Sequence, residues 1–291
     1  MLTHAKRRIL FWLSVAVFLA LVPVTVLYSL GYRFDGNFVL RKTGGFYIAS
    51  DVSGSEIFIN GELARRTNLL QSGVFVQNLA PDKYKVLVAR EGYLSWSKEL
   101  QIFSRFVSEA RAVLVPAEVN GKIILKGPFS GLKAAADGLW LFEKMGRGEV
   151  FQFYDPENNI LGATSSSPIP AFSEKTDSRG YAKAVWNEKS LELKVFWLRE
   201  ALLPYYLQDK EEILLAGKNV RNFEFFPKRR DVLIAAFDNG VWAVELDGRG
   251  GRGSYPIYKG KEPDFALLAG DNILYILDDG NLIRVSLLSA E

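Results

Sequence analysis

A chain of 291 residues, 48% hydrophobic and 24% charged, carries enough apolar material for a sizeable core. It has no cysteine and a single histidine, His4, which excludes disulfides, thiol catalysis and cysteine metal sites, and beyond residue 4 any histidine base or histidine metal centre. The net charge of +3 does not mark a nucleic-acid surface: residues 1–32 hold Lys6, Arg7, Arg8 and no acid, so of 36 basic and 33 acidic residues the rest of the chain holds 33 of each sign.

From Ile9 to Tyr32 run 24 residues without a charge. As a helix they span roughly 36 Å, against a hydrocarbon layer of about 30 Å. A helix pairs its backbone groups internally, which lipid demands. The pattern predicts a transmembrane helix over 9–32 after a cytoplasmic tail of 1–8. Trp12, Tyr28 and Tyr32 stand near its ends, where interfacial aromatics collect, and Pro23 predicts a kink. A cleaved signal peptide is the alternative, with Ser29-Leu30-Gly31 as a small-x-small triplet, although its apolar stretch is normally about 7–15 residues. Lys6, Arg7 and Arg8 are more tightly grouped than Arg33, Arg41 and Lys42 on the other flank. This places the N-terminus in the cytoplasm and residues 33–291 outside the cytoplasmic membrane. Residues 33–43 read as a polar connector.

From residue 44 the continuous apolar run gives way to alternation. Phe46 to Ala49, Glu56 to Ile59, Val74 to Gln77, Tyr84 to Val88, Ser97 to Phe103 and Val107 to Val115 read as strands. Asn60-Gly61 is a strong hairpin signal, because both residues tolerate positive φ. Pro81-Asp82 and Glu91-Gly92-Tyr93 mark further turns. Short strands at about ten-residue spacing predict a small β-sandwich over 44–116.

The pieces Gly45-Phe46-Tyr47-Ile48-Ala49-Ser50, Gly54-Ser55-Glu56-Ile57-Phe58-Ile59-Asn60-Gly61, Leu79 with Tyr84-Lys85-Val86, and Glu91-Gly92-Tyr93 occur in an order and spacing that resembles the PEGA domain, a small β-sandwich of bacterial and archaeal surface proteins. The namesake Pro-Glu-Gly-Ala stands here as Val52-Ser53-Gly54-Ser55, and the usual Thr-Pro survives as Thr67. The resemblance implies a surface-associated binding or spacer module without a catalytic site. Within it, Tyr93 and Trp96 are candidate ligand or partner contacts, as an exposed aromatic platform for a sugar or peptide; the competing reading makes them plugs at the end of the sandwich core. Arg65-Arg66 is a solvated loop or a contact for anionic headgroups.

Residues 117–291 repeat. Val150 to Asp155, Leu193 to Leu198, Val241 to Leu246 and Leu282 to Leu287 are similar apolar strands spaced about 40–48 residues apart. Asp238-Asn239-Gly240 aligns with Asp278-Asp279-Gly280 ahead of the last two of these strands. A strand-turn-strand unit of this period cannot bury its face alone and must stack on neighbours. About four units are counted, and the pattern resembles TolB-like and WD-repeat β-propellers, with the usual Ser-Pro-Asp-Gly blade motif reduced to Phe226-Pro227-Lys228-Arg229. The sequence leaves open an incomplete ring, or a long antiparallel sandwich. Gly248 to Gly253 resembles an RGG segment but sits between strand units, which predicts a flexible inter-blade loop. Ser165 to Pro170 reads as another loop.

The fold class expected is therefore an all-β soluble part, a small β-sandwich plus β-propeller-like repeats, behind one N-terminal transmembrane helix. Carboxylate pairs are the only catalytic inventory left, and Asp155-Glu157, Glu211-Glu212 and Asp278-Asp279 are candidates for glycosidase chemistry, which needs two carboxylates about 5–10 Å apart. All three lie at predicted turns. No cofactor, metal or nucleic-acid partner is expected. The function expected is a non-enzymatic, membrane-anchored scaffold of the cell envelope, with envelope proteins or cell-wall glycan as partners. The alternative is an anchored glycan-active enzyme using carboxylates on the propeller face.

Overall fold

The computed structural model describes residues 4–34, 39–118, 121–135, 137–145, 148–165, 173–200, 202–268 and 272–287. The chain divides into two compact units, Met1–Leu87 with Glu99–Arg111, and Val88–Lys98 with Ala112–Glu291.

In the first unit α1 (His4–Ser29) continues through Pro23, and none of its apolar stretch Lys6–Ser29 is buried. Its hydroxyls bond back along the helix, Ser14 Oγ to the Leu10 carbonyl at 2.8 Å and Thr25 Oγ1 to that of Leu21 at 2.9 Å, so they present no open donor to an apolar medium. Gly31, at φ +82°, ends the helix in the left-handed conformation. The chain then forms β1 (Tyr32–Phe34) and β2 (Leu40–Lys42), an antiparallel pair where the sequence reads only as a connector. The sequence is too polar and too short there for a periodic signal.

The β-sandwich comprises β3 (Gly44–Ser50), β4 (Glu56–Ile59), β5 (Glu62–Arg66), β6 (Gly73–Leu79), β7 (Lys83–Ala89), β8 (Trp96–Gln101) and β9 (Val107–Ala112). Its sheets run in the orders β6-β3-β9 and β5-β4-β7-β8. Alternation decides the inward faces: Phe46 and Ile48 are buried on β3, Ile57 and Ile59 on β4. Asn60 and Gly61 take φ of 50° and 89° between β4 and β5, the two-residue hairpin expected. The turn at Val52 to Ser55 is tied by Ser50, Ser55 and Thr67: the two serine hydroxyls lie 2.9 Å apart, and the Ser55 amide donates to Thr67 Oγ1 at 2.9 Å.

The second unit holds a β-propeller. β10 (Lys122–Lys126) comes first. Blade one follows as β11 (Phe129–Ala134), β12 (Leu139–Met145), β13 (Gly148–Asp155) and β14 (Ile160–Ser165). Blade two is β15 (Glu174–Thr176), β16 (Ala182–Asn187), β17 (Glu192–Trp197) and β18 (Glu211–Ala216). Blade three is β19 (Asn222–Phe225), β20 (Val232–Phe237), β21 (Gly240–Glu245) and β22 (Ser254–Lys259). Blade four is β23 (Asp264–Leu267), β24 (Ile273–Asp278) and β25 (Asn281–Ser286), and β10 completes it by pairing antiparallel to β25, Lys122 opposite Arg284. The four recurrent segments of the sequence are β13, β17, β21 and β25, the third strand of every blade. The ring closes because the first strand of the domain supplies the outer strand of the last blade.

One alignment shifts by a residue. Between β20 and β21 the turn is Asp238-Asn239, and Gly240 already pairs with Phe237; between β24 and β25 the turn is Asp279-Gly280, and Asp278 pairs with Asn281. Asp238-Asn239 is thus equivalent to Asp279-Gly280. Gly240 opens β21 at φ +147°, and a Cβ there would also collide with the Tyr258 carbonyl of β22. Phe226 to Arg229 forms the turn between β19 and β20, with Lys228 at φ 59° and the Arg229 amide bonded to the Phe226 carbonyl at 3.0 Å.

Candidate functional site

The first strands of the blades, β11, β15, β19 and β23, line a cavity of about 260 Å³ at the centre of the ring. Its polar residues are Lys133, Lys175, Arg221, Asn222, Glu224 and Asp264. They work across blade boundaries. Lys175 Nζ of blade two lies 2.7 Å from Glu224 Oε2 of blade three. Asn222 of blade three donates to Asp264 Oδ1 of blade four at 2.8 Å and to the Phe265 carbonyl at 2.7 Å. The Phe265 amide also donates to Asp264 Oδ1, at 2.8 Å. Arg221 Nη1 reaches Glu262 Oε2 at 3.5 Å. Burial pushes the Asp264 carboxyl above its ordinary value, against the pull of these hydrogen bonds. Desolvation lowers Lys133 in turn, opposed by the nearby Asp264 charge. The cavity is a small, charged, blade-linking centre whose ionic groups are engaged with one another.

A larger cleft of about 1010 Å³ opens between blade one and the closing strand, lined among others by Lys122, Tyr154, Asp155, Glu157, Tyr275 and Arg284. It contains the first carboxylate pair. Asp155 is committed to its turn: it accepts from the Glu157 amide at 2.9 Å, the Asn158 amide at 3.2 Å and Asn158 Nδ2 at 2.8 Å. Those bonds, the Asn158 side chain first, hold its carboxyl below the ordinary value. This is the wrong direction for a general acid. Glu211 pairs with Lys194 at 2.9 Å, and Glu212 accepts from the Gln208 amide and lies 3.3 Å from Arg252. Asp278 accepts from Tyr258 Oη at 2.8 Å; burial, followed by this bond, raises Tyr258 to about 12, while Asp279 occupies a turn at φ 48°. The three pairs therefore sit on blades one, two and four rather than in one cleft. Among the described residues no group of three metal-ligating side chains exists.

Tyr93 is half-buried in a bridge to Pro116. Trp96 is only 1% exposed. Its indole Nε1 donates to Glu245 Oε1 of β21, so the ring is an internal plug and not a surface platform. Around that contact lies a buried polar network that the sequence reading missed. Lys98 Nζ is 2.8 Å from Glu245 Oε2, donates to the Asp247 carbonyl at 2.7 Å, and lies 3.7 Å from Asp247 Oδ2. Arg229 makes a two-pronged bond to Asp231 at 2.9 and 2.6 Å and donates to the Ala112 carbonyl at 2.8 Å. A signal for it was available: Trp96, Lys98 and Leu100 share one strand face, so a lysine stands in an otherwise apolar row.

The Gly248 to Gly253 segment joins β22 to β21 inside blade three, not one blade to the next. Both its arginines are engaged: Arg249 bonds Asp247 at 3.0 and 2.8 Å, and Arg252 bonds the Ile213, Leu214 and Leu246 carbonyls at 3.2 Å. Ser165 to Pro170 lies almost wholly outside the described residues.

The fold and site define a predominantly β protein with a small sandwich, a four-bladed propeller and one N-terminal apolar helix long enough to cross a membrane or to serve as a signal sequence. No protein-family profile and no curated protein matches the chain. Among solved structures it is similar to the gluconolactonase XC5397 of Xanthomonas campestris, at 12% identity over 70% of this chain and 69% of that one, TM-score 0.31. It is also similar to the β-propeller domain of Cps50 (Swd1) from Myceliophteria thermophila, at 9% identity over 74% and 66%, TM-score 0.28. A third likeness is to the complex of KlAtg21 with the coiled coil of AgAtg16, at 9% identity over 89% and 84%, TM-score 0.28. These likenesses concern the fold alone.

Proposed function

We propose that this protein is a non-enzymatic, single-pass scaffold of the cell envelope, with residues 1–8 in the cytoplasm and residues 33–291 outside it. The sandwich serves as a PEGA-like module beside the bilayer, and the propeller as an interaction platform for envelope proteins or cell-wall glycan. The observation that carries this reading is the bare helix Lys6–Ser29: an apolar surface of that length, with none of it buried, is costly in water and is accommodated by lipid. The hydrogen-bonded turn at Ser50, Ser55 and Thr67 supports the PEGA-like reading, since it keeps a tied turn where the motif's own residues have changed. The engagement of the carboxylate pairs in turns and ion pairs favours binding over hydrolysis.

Protease protection in sealed cells, followed by pull-down with residues 33–291, tests the proposal. Digestion of residues 33–291 from outside and retention of an envelope partner are expected. Protection of that region until the membrane is opened overturns the topology.

A further inference from the structure

The end of the first unit from which α1 emerges carries an unusual surface. Gly31, which caps the helix, accepts from the Thr43 amide at 2.9 Å and from Thr43 Oγ1 at 3.1 Å. The Thr43 carbonyl in turn accepts from the Arg105 amide at 2.8 Å. The Phe106 carbonyl accepts from Gly45 at 3.1 Å. Arg33 adds a third tie: its guanidinium lies 3.4 Å from the Tyr28 ring centre, donates to the Tyr28 carbonyl at 2.8 Å and reaches Asn78 Oδ1 at 2.9 Å. The loop between β8 and β9 is therefore held within two backbone hydrogen bonds of the helix end.

That loop and the β1–β2 hairpin expose large apolar side chains. Phe103 is 60% and Phe106 68% exposed, and Phe34 is paired across the hairpin with Leu40, both on the surface. Arg41 and Arg105 are exposed among them, and Arg105 sits at the loop tip at φ 70°. Aromatic and aliphatic tips interspersed with arginines, from two stretches of chain some sixty residues apart, have the composition of an interfacial membrane contact.

We propose that this surface, Phe34, Leu40, Phe103 and Phe106 with Arg41 and Arg105, is a foot that beds into the anionic headgroup layer of the bilayer that α1 enters. The inference rests on the reading of α1 as a membrane anchor. Continuity selects the occupant: a helix that leaves the hydrocarbon at Ser29 puts a loop bonded to its cap at headgroup depth. The arginines match a negative lipid surface. Burying the rings there removes apolar area from water while the guanidinium groups stay with phosphate. The foot fixes how the sandwich stands on the membrane, which a flexible tether does not.

The absence of cysteine makes the test direct. Full-length variants Phe18→Cys, Leu70→Cys, Phe103→Cys and Phe106→Cys, each carrying a nitroxide label, are reconstituted in phosphatidylcholine bilayers with and without phosphatidylglycerol. Accessibility to a water-soluble nickel chelate and to lipid-soluble oxygen is read. Leu70, fully exposed at the opposite end of β3 and β6, is the aqueous control, and Phe18, mid-helix, is the hydrocarbon control. Labels at 103 and 106 are expected to be about fivefold less open to nickel than at 70, open to oxygen at shallow depth, and more protected when the anionic lipid is present. Nickel access at 103 and 106 equal to that at 70, with 18 in hydrocarbon, overturns the foot and leaves the anchor standing. Nickel access at 18 overturns the anchor itself. Shielding from nickel and oxygen together means a protein covers the surface, and equal protection in both lipids removes the anionic assignment; either result overturns the proposal.

Discussion

Replacing Lys98 by methionine tests the buried network between β8 and β21. The ammonium is 2.8 Å from Glu245 Oε2, and both side chains are no more than 3% exposed. Methionine fills the stem's space and removes the charge. Glu245 keeps two neutral donors, the Trp96 indole and the Gly253 amide at 3.0 Å, but loses the Lys98 ammonium that neutralises it. Asp247 is less affected, because Arg249 still holds it at 2.8 Å. Stranding a buried charge costs about 3–5 kcal/mol. The two remaining donors put Lys98→Met near the lower end, about 3 kcal/mol. Glu245→Gln preserves an acceptor for Trp96 and leaves Lys98 with the Asp247 carbonyl, so it costs about 1.5–3 kcal/mol. The double variant loses about 2 kcal/mol less than the two single losses added together. Urea unfolding of the detergent-solubilised full chain, followed by far-ultraviolet circular dichroism, reads these values, because the signal is dominated by strands. A loss below about 1 kcal/mol for Lys98→Met, or additivity within about 0.5 kcal/mol, refutes the coupling.

Gly280→Ala forces a side chain into φ +69° and onto the Gly127 carbonyl, beside the bond from the Gly127 amide to the Gly280 carbonyl at 3.0 Å. It is expected to cost about 1–3 kcal/mol, with hydrogen-exchange protection lost first in β10 and β25. The raised carboxyl of Asp264 means the folded state holds its proton more tightly than the unfolded chain does. Its contribution is present below the ordinary value of 3.8 and is lost as pH rises through the folded value, so Asp264→Asn flattens that descent in a series of pH-dependent melts. Arginine at both Phe18 and Leu19 costs about 5–7 kcal/mol of insertion and moves the chain out of the membrane fraction on ultracentrifugation. Mass spectrometry of the mature protein is expected to find residues 1–31 intact; a product beginning at Tyr32 identifies the segment as a cleaved signal.

Periodicity made much of the fold legible. The uncharged run at Ile9 to Tyr32, the Asn60-Gly61 turn and the four third strands are local patterns, and local patterns survive without tertiary information. What was not legible depends on distant partners. Lys122 to Lys126 is one short strand, and nothing local to it names β25 as its neighbour. The Asp-x-Gly alignment slipped by one residue because a hairpin glycine and a strand glycine look alike in sequence: Gly240 and Gly280 both sit at positive φ with a backbone carbonyl too close for a Cβ, and only the strand pairing tells them apart. For Trp96 the sequence left a surface platform and a core plug both open, because its partner, Glu245, lies far along the chain. The central cavity was invisible for the same reason: each blade contributes one or two of its charged groups, and only closure brings them together.

Closure has a kinetic consequence. The β10–β25 register joins Lys122 to Arg284, a loop of about 160 residues, and its entropic cost falls due before any of that pairing is formed. During synthesis β10 emerges early and stands as an unpaired strand edge until the last blade follows it, exposing a template for mispairing in the meantime. Once the ring is shut, the same strand makes it tolerant of breakage: a single nick in any inter-blade loop leaves both fragments clasped through blade four, so the protein resists falling apart at the places where proteases reach it most easily.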